Sequence, residues 1–138
     1  MNTSGIYAVA ITMALAGSAV SDTFIVDPDG NGDYLSIQTA VRWAPEASTI
    51  AVVPGVYEAV GIDGRESNAL TIQAIDWAPP GSVIIEGAEA DHASITLGEY
   101  ADVTFRGIVV RARGMNVVDV ENSNVVFEDC RIEDSPGV

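Results

Sequence analysis

Basic residues are scarce in this sequence. Lys and Arg together number 6 against 20 Asp and Glu, which leaves a formal net charge of −14. Phosphate backbones are held by clustered Lys and Arg, so nucleic acid is excluded as a partner. A polyanionic glycan is repelled as well, unless a divalent cation bridges the carboxylates on both sides. Cysteine is scarcer still. Cys130 stands alone, so no intramolecular disulfide forms and a disulfide scaffold is ruled out. His92 is the one histidine; it follows Asp91 in an expected loop with no metal-ligand spacing around it, and reads as a solvated residue rather than the centre of a catalytic cluster.

What is present is apolar. Hydrophobic residues make up 48% of the 138 positions and charged residues 19%, enough to give one domain a real core. Met1 to Ser21 carries no charged side chain, runs apolar from Ile6 to Leu15, and ends in the small-residue cluster Ala16-Gly17-Ser18-Ala19 before Asp22. That pattern predicts a signal peptide over residues 1–21, cleaved between Ala19 and Asp22, and hence a secreted or cell-surface protein. The apolar stretch falls short of the roughly 20 residues that a spanning helix needs, so no stable membrane span is expected once the leader is gone.

Residues 22–48 read as a strand and a helix. Thr23 to Asp27 alternates as a strand does and breaks at Pro28-Asp29-Gly30-Asn31-Gly32, a dense turn signal. Ser36 is the expected N-cap of a helix in which Ile37, Ala40, Val41 and Ala44 recur at i, i+3, i+4 and i+7, with Pro45 ending the run.

From Thr49 to Val138 short β-branched runs alternate with Gly, Asn and Asp: Ile50–Val53, Ala69–Ala74, Val83–Glu86, Ile95–Leu97, Val103–Arg106, Ile108–Arg111, Val117–Val120, Val125–Glu128 and Cys130–Glu133. Strands this short need a repeating architecture. The repeat is visible where Asp102–Arg111 lies over Asn124–Glu133, an offset of about 22 residues that corresponds to one coil of a parallel β-helix. Because strand side chains alternate between faces, this register turns Val103/Val125, Phe105/Phe127, Ile108/Cys130 and Val110/Ile132 inward as like-on-like columns. Outside, it sets Arg106 against Glu128 and Arg111 against Glu133 across the roughly 4.8 Å between coils, as ion pairs. The fold expected is all-β, a right-handed parallel β-helix of about 3–4 coils with an N-terminal capping α-helix.

Three segments resemble the start of pectinesterases and related pectin-lyase-like proteins: residues 26–41 (VDPDGNGDYLSIQTAV), Val53-Pro54-Gly55-Val56-Tyr57-Glu58, and Val83-Ile84-Ile85-Glu86-Gly87. The resemblance implies that the helix plugs the end of the β-helix core and that the Pro-Gly-x-Tyr element opens the first coil. It also implies where catalytic residues would stand. The pectinesterase Gln-Asp-Thr motif would fall near residues 136 and 137, where this chain has Pro136-Gly137-Val138, and an upstream glutamine would fall near Gly114. Pectinesterase chemistry, an Asp nucleophile with Gln donors for the oxyanion, is therefore not matched. The ending Asp129–Gly137 looks more like the generic right-handed β-helix repeat. No catalytic residue is assigned, and an enzyme, either a polysaccharide lyase or a carbohydrate esterase, is expected only if coils beyond Val138 supply the site.

Other candidates follow from residue chemistry. Asp27, Asp29, Asn31 and Asp33 alternate like the first half of a calcium loop, with Gln38 where a bidentate acid would close it; calcium is thus a candidate ion, though no cofactor is required, and an acidic turn leading into the helix accounts for the same residues. Arg111 and Arg113 resemble the arginine that some β-helix lyases use as a base, which would imply a base role for one of them, against the simpler pairing of Arg111 with Glu133; the faces of Glu86, Asp91 and Glu99 are open. Cys130 reads as a small buried hydrophobe, with an intermolecular disulfide as the alternative. Trp43, Trp77, Tyr57 and Tyr100 are either stacking platforms for sugars or packing residues at the cap and coil edges.

A last coil with nothing over it exposes strand edges and apolar columns. Nothing after Glu133 reads as a cap, so further coils or another subunit are expected there. The function expected is a secreted or cell-surface module that binds polysaccharide without turning it over. The alternatives are the N-terminal part of a pectin-active enzyme and a structural surface repeat that self-associates through its open coil.

Overall fold

The computed structural model describes residues 22–64, 69–87, 93–112 and 117–134. The predicted leader, and with it Asp91, His92, Arg113, Gly114 and Pro136-Gly137-Val138, lies outside the described residues.

The strands are β1 (Thr23–Val26), β2 (Thr49–Val52), β3 (Gly55–Tyr57), β4 (Val60–Asp63), β5 (Leu70–Ala74), β6 (Val83–Glu86), β7 (Ile95–Gly98), β8 (Asp102–Arg106), β9 (Val109–Ala112), β10 (Val118–Val120), β11 (Asn124–Glu128) and β12 (Arg131–Asp134), with one helix, α1 (Ile37–Trp43), between β1 and β2. Consecutive strands from β2 onward fall in different sheets, so each turn of chain adds one strand to each of three parallel sheets. Their orders are β1-β2-β5-β8-β11, β3-β6-β9-β12 and β4-β7-β10. This is a parallel β-helix of about four turns.

The 22-residue register expected from the sequence is the one observed. Val103 pairs with Val125, Phe105 with Phe127, Val110 with Ile132, Arg106 with Glu128 and Arg111 with Glu133. Inside, Ile50, Ile72, Phe105 and Phe127 form one column, Tyr57, Ile85, Val110 and Ile132 a second, and Ile62, Leu97 and Val120 a third. Complete burial of each such side chain contributes on the order of 1.5–3 kcal/mol, and the columns repeat it through the coils that enclose them. Buried Ser94 ties the turns together: its Oγ donates to the Arg111 carbonyl and accepts from Gly87 N at 3.0 Å.

Two strands are present that the sequence pattern missed, β3 and β4. Gly55 and Gly61 interrupt their β-branched character, and both strands form because β6 and β7 pair with them. The second turn is also longer than the others: 33 residues separate Ile72 from its register partner Phe105, whereas 22 separate Phe105 from Phe127.

Helix α1 begins where expected. Ser36 is its N-cap, with Oγ accepting from Thr39 N at 3.1 Å, and Ala44 closes it before Pro45. Ile37, Ala40, Val41 and Ala44 are buried on β1, β2 and β4, so the helix covers the first-coil end of the core. The other end differs. In the fourth coil Val118, Val125, Phe127 and Cys130 are only half-buried and Ile132 is 49% exposed, whereas Phe105 one coil earlier is fully enclosed.

Candidate functional site

The outer face of the β4-β7-β10 sheet and the rim of α1 border an open, shallow cleft of about 420 Å3, lined by Gln38, Arg42, Asp63, Thr96 and Glu99 over Gly61 and Gly98. Its construction follows from local rules. Gln38 and Arg42 stand four residues apart on α1, on the face turned away from the core stripe. On the sheet, Ile62, Ile95 and Leu97 point inward, so Gly61, Asp63, Thr96 and Gly98 point outward. A Cβ at Gly61 or Gly98 would meet no atom within 4 Å, so the two glycines leave the floor open. The outward register column continues from Gly61 through Thr96 to Asp119.

Gln38 holds the wall to the floor. Its Nε2 donates to the Gly61 carbonyl at 2.9 Å and its Oε1 accepts from Gly61 N at 2.8 Å. β4 is the outermost strand of its sheet, so the side-chain amide supplies the donor and acceptor that a neighbouring strand would have offered. At the far side, Glu99 and Tyr100 adopt left-handed backbone conformations, with φ of 56° and 68°, which turn the chain sharply from β7 into β8 and leave both side chains at the surface.

The cleft therefore offers a guanidinium, two carboxylates and a hydroxyl within one open hollow. Arg42 gives donors in a planar fork, Asp63 and Glu99 give acceptors, and Thr96 gives one of each. Such a set suits a ligand rich in hydroxyl groups, each of which is donor and acceptor at once. None of these residues except Glu99 stood out in the sequence. The signal was the pair Gly61-x-Asp63 and Thr96-x-Gly98, legible only once their 35-residue register is known.

The residues singled out in the sequence are dispersed. In the 27–33 turn, Asp27 Oδ1 accepts from Asp29 N at 2.9 Å and Asp33 Oδ2 accepts from Ile25 N at 2.8 Å, so both carboxylates order backbone. Asp29 and Asn31 are exposed. A Cβ at Gly32 would lie 2.6 Å from the Ile25 carbonyl, which accounts for that glycine by close backbone approach. Among the described residues, no group of three or more His, Cys, Asp or Glu side chains is placed to hold a metal ion.

Trp43, Trp77 and Tyr100 are 69%, 66% and 78% exposed and remain available as stacking surfaces. Tyr57 does not: it is buried, its hydroxyl donates to the Val53 carbonyl at 2.6 Å, and burial, reinforced by the charges of Asp27 and Asp29, pushes its pKa up to about 12. Of the two readings the sequence left open for this residue, packing is the one observed.

Arg111 Nε donates to Glu133 Oε2 at 2.8 Å and Arg106 Nε to Glu128 Oε1 at 2.7 Å, as the register predicted. Glu86 occupies the outward column of Arg111, one coil before it. Cys130 is free and half-buried against the core, with Sγ 3.4 Å from the Phe105 carbonyl. No helix among the described residues is long and apolar enough to cross a membrane. Compared with known proteins, the chain matches no family model, no curated protein and no solved structure.

Proposed function

We propose that this chain is a carbohydrate-binding β-helix module, secreted or displayed at a cell surface, similar in kind to the pectin-lyase-like proteins and acting by binding rather than turnover. The observation that supports it is the cleft on the β4-β7-β10 sheet, where Arg42, Asp63, Thr96 and Glu99 stand around an open glycine floor. Trp43 and Tyr100 do not line this cleft, but both are exposed elsewhere on the surface and present apolar ring faces of the type on which sugars stack. With a net charge of −14, neutral glycans are favoured over uronates. The apolar, uncharged stretch before Asp22 supports the extracellular setting.

The test is calorimetric titration with neutral and uronate oligosaccharides, alongside an assay for released reducing ends, unsaturated products or methanol. The reading expects a neutral oligosaccharide to bind without product, and Arg42→Ala and Thr96→Ala each to weaken it by about tenfold, the loss of one well-placed hydrogen bond. Binding that both substitutions leave intact, or no binding across the panel, would overturn it.

A further inference from the structure

Granted the carbohydrate-binding reading of the cleft, we infer that its site continues around the β7-β8 corner into a second subsite, where a neutral linear glycan stacks on Tyr100 and bonds to the amides of Asn122 and Asn124. The two hollows adjoin through a single peptide bond, since Glu99 lines the cleft and Tyr100 the second hollow. That second hollow, of about 310 Å3, is lined by Tyr100, Ala101, Asn122, Ser123 and Asn124. Each hollow alone lies near the small end of the roughly 300–1,000 Å3 range of ligand pockets, and a chain of several sugar units spans both.

The corner is built outward. Four residues separate Leu97 from Asp102, whereas three separate their register partners, Val120 and Asn124, one coil on. The additional residue is taken up by consecutive left-handed conformations at Glu99 and Tyr100, and both side chains are exposed. Left-handed backbone disfavours bulky side chains and suits Gly or Asn; the next corner obeys this with Asn122, at φ 48°. Neither backbone preference nor core packing therefore accounts for a tyrosine at position 100, whose ring is 78% exposed. A ligand that stacks on the ring does account for it.

The amides complete the chemistry. Ser123 Oγ accepts from Ala101 N at 3.0 Å and donates to the Glu121 carbonyl at 3.0 Å, and Asn124 N donates to the Ala101 carbonyl at 2.8 Å, so the backbone carrying both asparagines is fixed against the Tyr100 turn. Asn122 and Asn124 are exposed, and among the described residues no protein group takes up either side-chain amide. Each amide offers donors and an acceptor together, as neighbouring sugar hydroxyls require. Coils lie roughly 4.8 Å apart, so a sugar ring over Tyr100 stands beside the amides one coil on. None of the five lining residues is charged, so a phosphate or uronate finds no counter-charge there.

The test is calorimetric titration of the full chain with the disaccharides and hexasaccharides of cellulose, mannan, xylan and galactan. For the glycan that binds, the hexasaccharide is expected to be at least about tenfold tighter than the disaccharide, and Tyr100→Ala, or Asn122→Ala with Asn124→Ala, to close most of that gap. On the unaltered chain the hexasaccharide is expected to shift the side-chain amide NMR signals of Asn122 and Asn124, which decides the matter should a variant unfold. Binding that Arg42→Ala weakens, but with a hexasaccharide no tighter than the disaccharide, a gap that survives both variants, or unshifted amides, overturns the second subsite and leaves the cleft reading intact. Binding that Tyr100→Ala weakens and Arg42→Ala does not puts the sugar at the corner alone and overturns the continuous site. No binding by any of these sugars overturns both readings.

Discussion

Phe105 and Phe127 stack one coil apart, ring centroids 5.3 Å apart and planes 14° from parallel, at matching positions of β8 and β11. Phe105 is fully enclosed, while Phe127 is half-buried in the last described coil. Truncation should therefore cost unequally. Phe105→Ala is expected to lose about 3–5 kcal/mol of unfolding free energy and Phe127→Ala less than half as much, measured by urea denaturation. Equal losses would mean that the fourth coil is as tightly packed as the third.

The Gln38 clamp predicts a local effect. Gln38→Ala leaves Gly61 N and O without their partner on an edge strand and is expected to cost about 1–2 kcal/mol, with faster hydrogen exchange at the Gly61 amide. Exchange at Ile72, in the sheet interior, should change only as far as global stability does.

Tyr57 makes the fold sensitive to alkali. Its folded pKa, about 12, lies above the ordinary 10.0, so the folded state favours the neutral phenol. That stabilisation is complete below pH 10 and is lost as the pH rises through about 12, because the unfolded chain gives up the proton first. A melting temperature that falls across this window in the unaltered chain, and falls much less in Tyr57→Phe, is the expected result. At neutral pH the substitution loses the bond to the Val53 carbonyl, about 1 kcal/mol.

Glu133 acts at the other end of the scale. Hydrogen bonds from Arg111, and then from Arg131, hold its carboxyl below the usual carboxylate range. A depressed folded pKa contributes stability above the unfolded value, near 4.5, that is lost as the pH falls through the folded one. Glu133→Gln is expected to flatten the acid limb of the stability profile, read by thermal melts below pH 5. An unchanged limb would show that the pair is solvated away.

Calcium should leave the melting temperature of this chain essentially unchanged. In the 27–33 turn Asp27 and Asp33 each commit one carboxylate oxygen to a backbone N–H, and among the described residues no three His, Cys, Asp or Glu side chains converge to hold an ion. A rise that chelator reverses and Asp29→Asn abolishes would instead make the turn a calcium loop.

Much of the fold was legible before any coordinates. The 22-residue offset could be found because coils three and four carry no insertion between Val103 and Ile132, so like residues and opposite charges fall in phase. Ser36, the α1 stripe and Pro45 follow from capping and helical period alone. β3 and β4 were not legible, since glycine weakens the local strand signal and only pairing with β6 and β7 makes up for it. Tyr57 was open to two readings because a sequence does not say which of its faces a ring presents.

By itself, then, the sequence determined what local periodicity and stacking can encode: a capped, parallel, column-filled solenoid and its ion-paired register. Only the tertiary structure decided the cleft. Gln38 meets Gly61 across 23 residues, and Gly61 meets Thr96 across 35, in a second turn longer than the 22-residue repeat. No short-range energy marks those partners; they become neighbours because burying three apolar columns at once leaves the chain a single register in which to close.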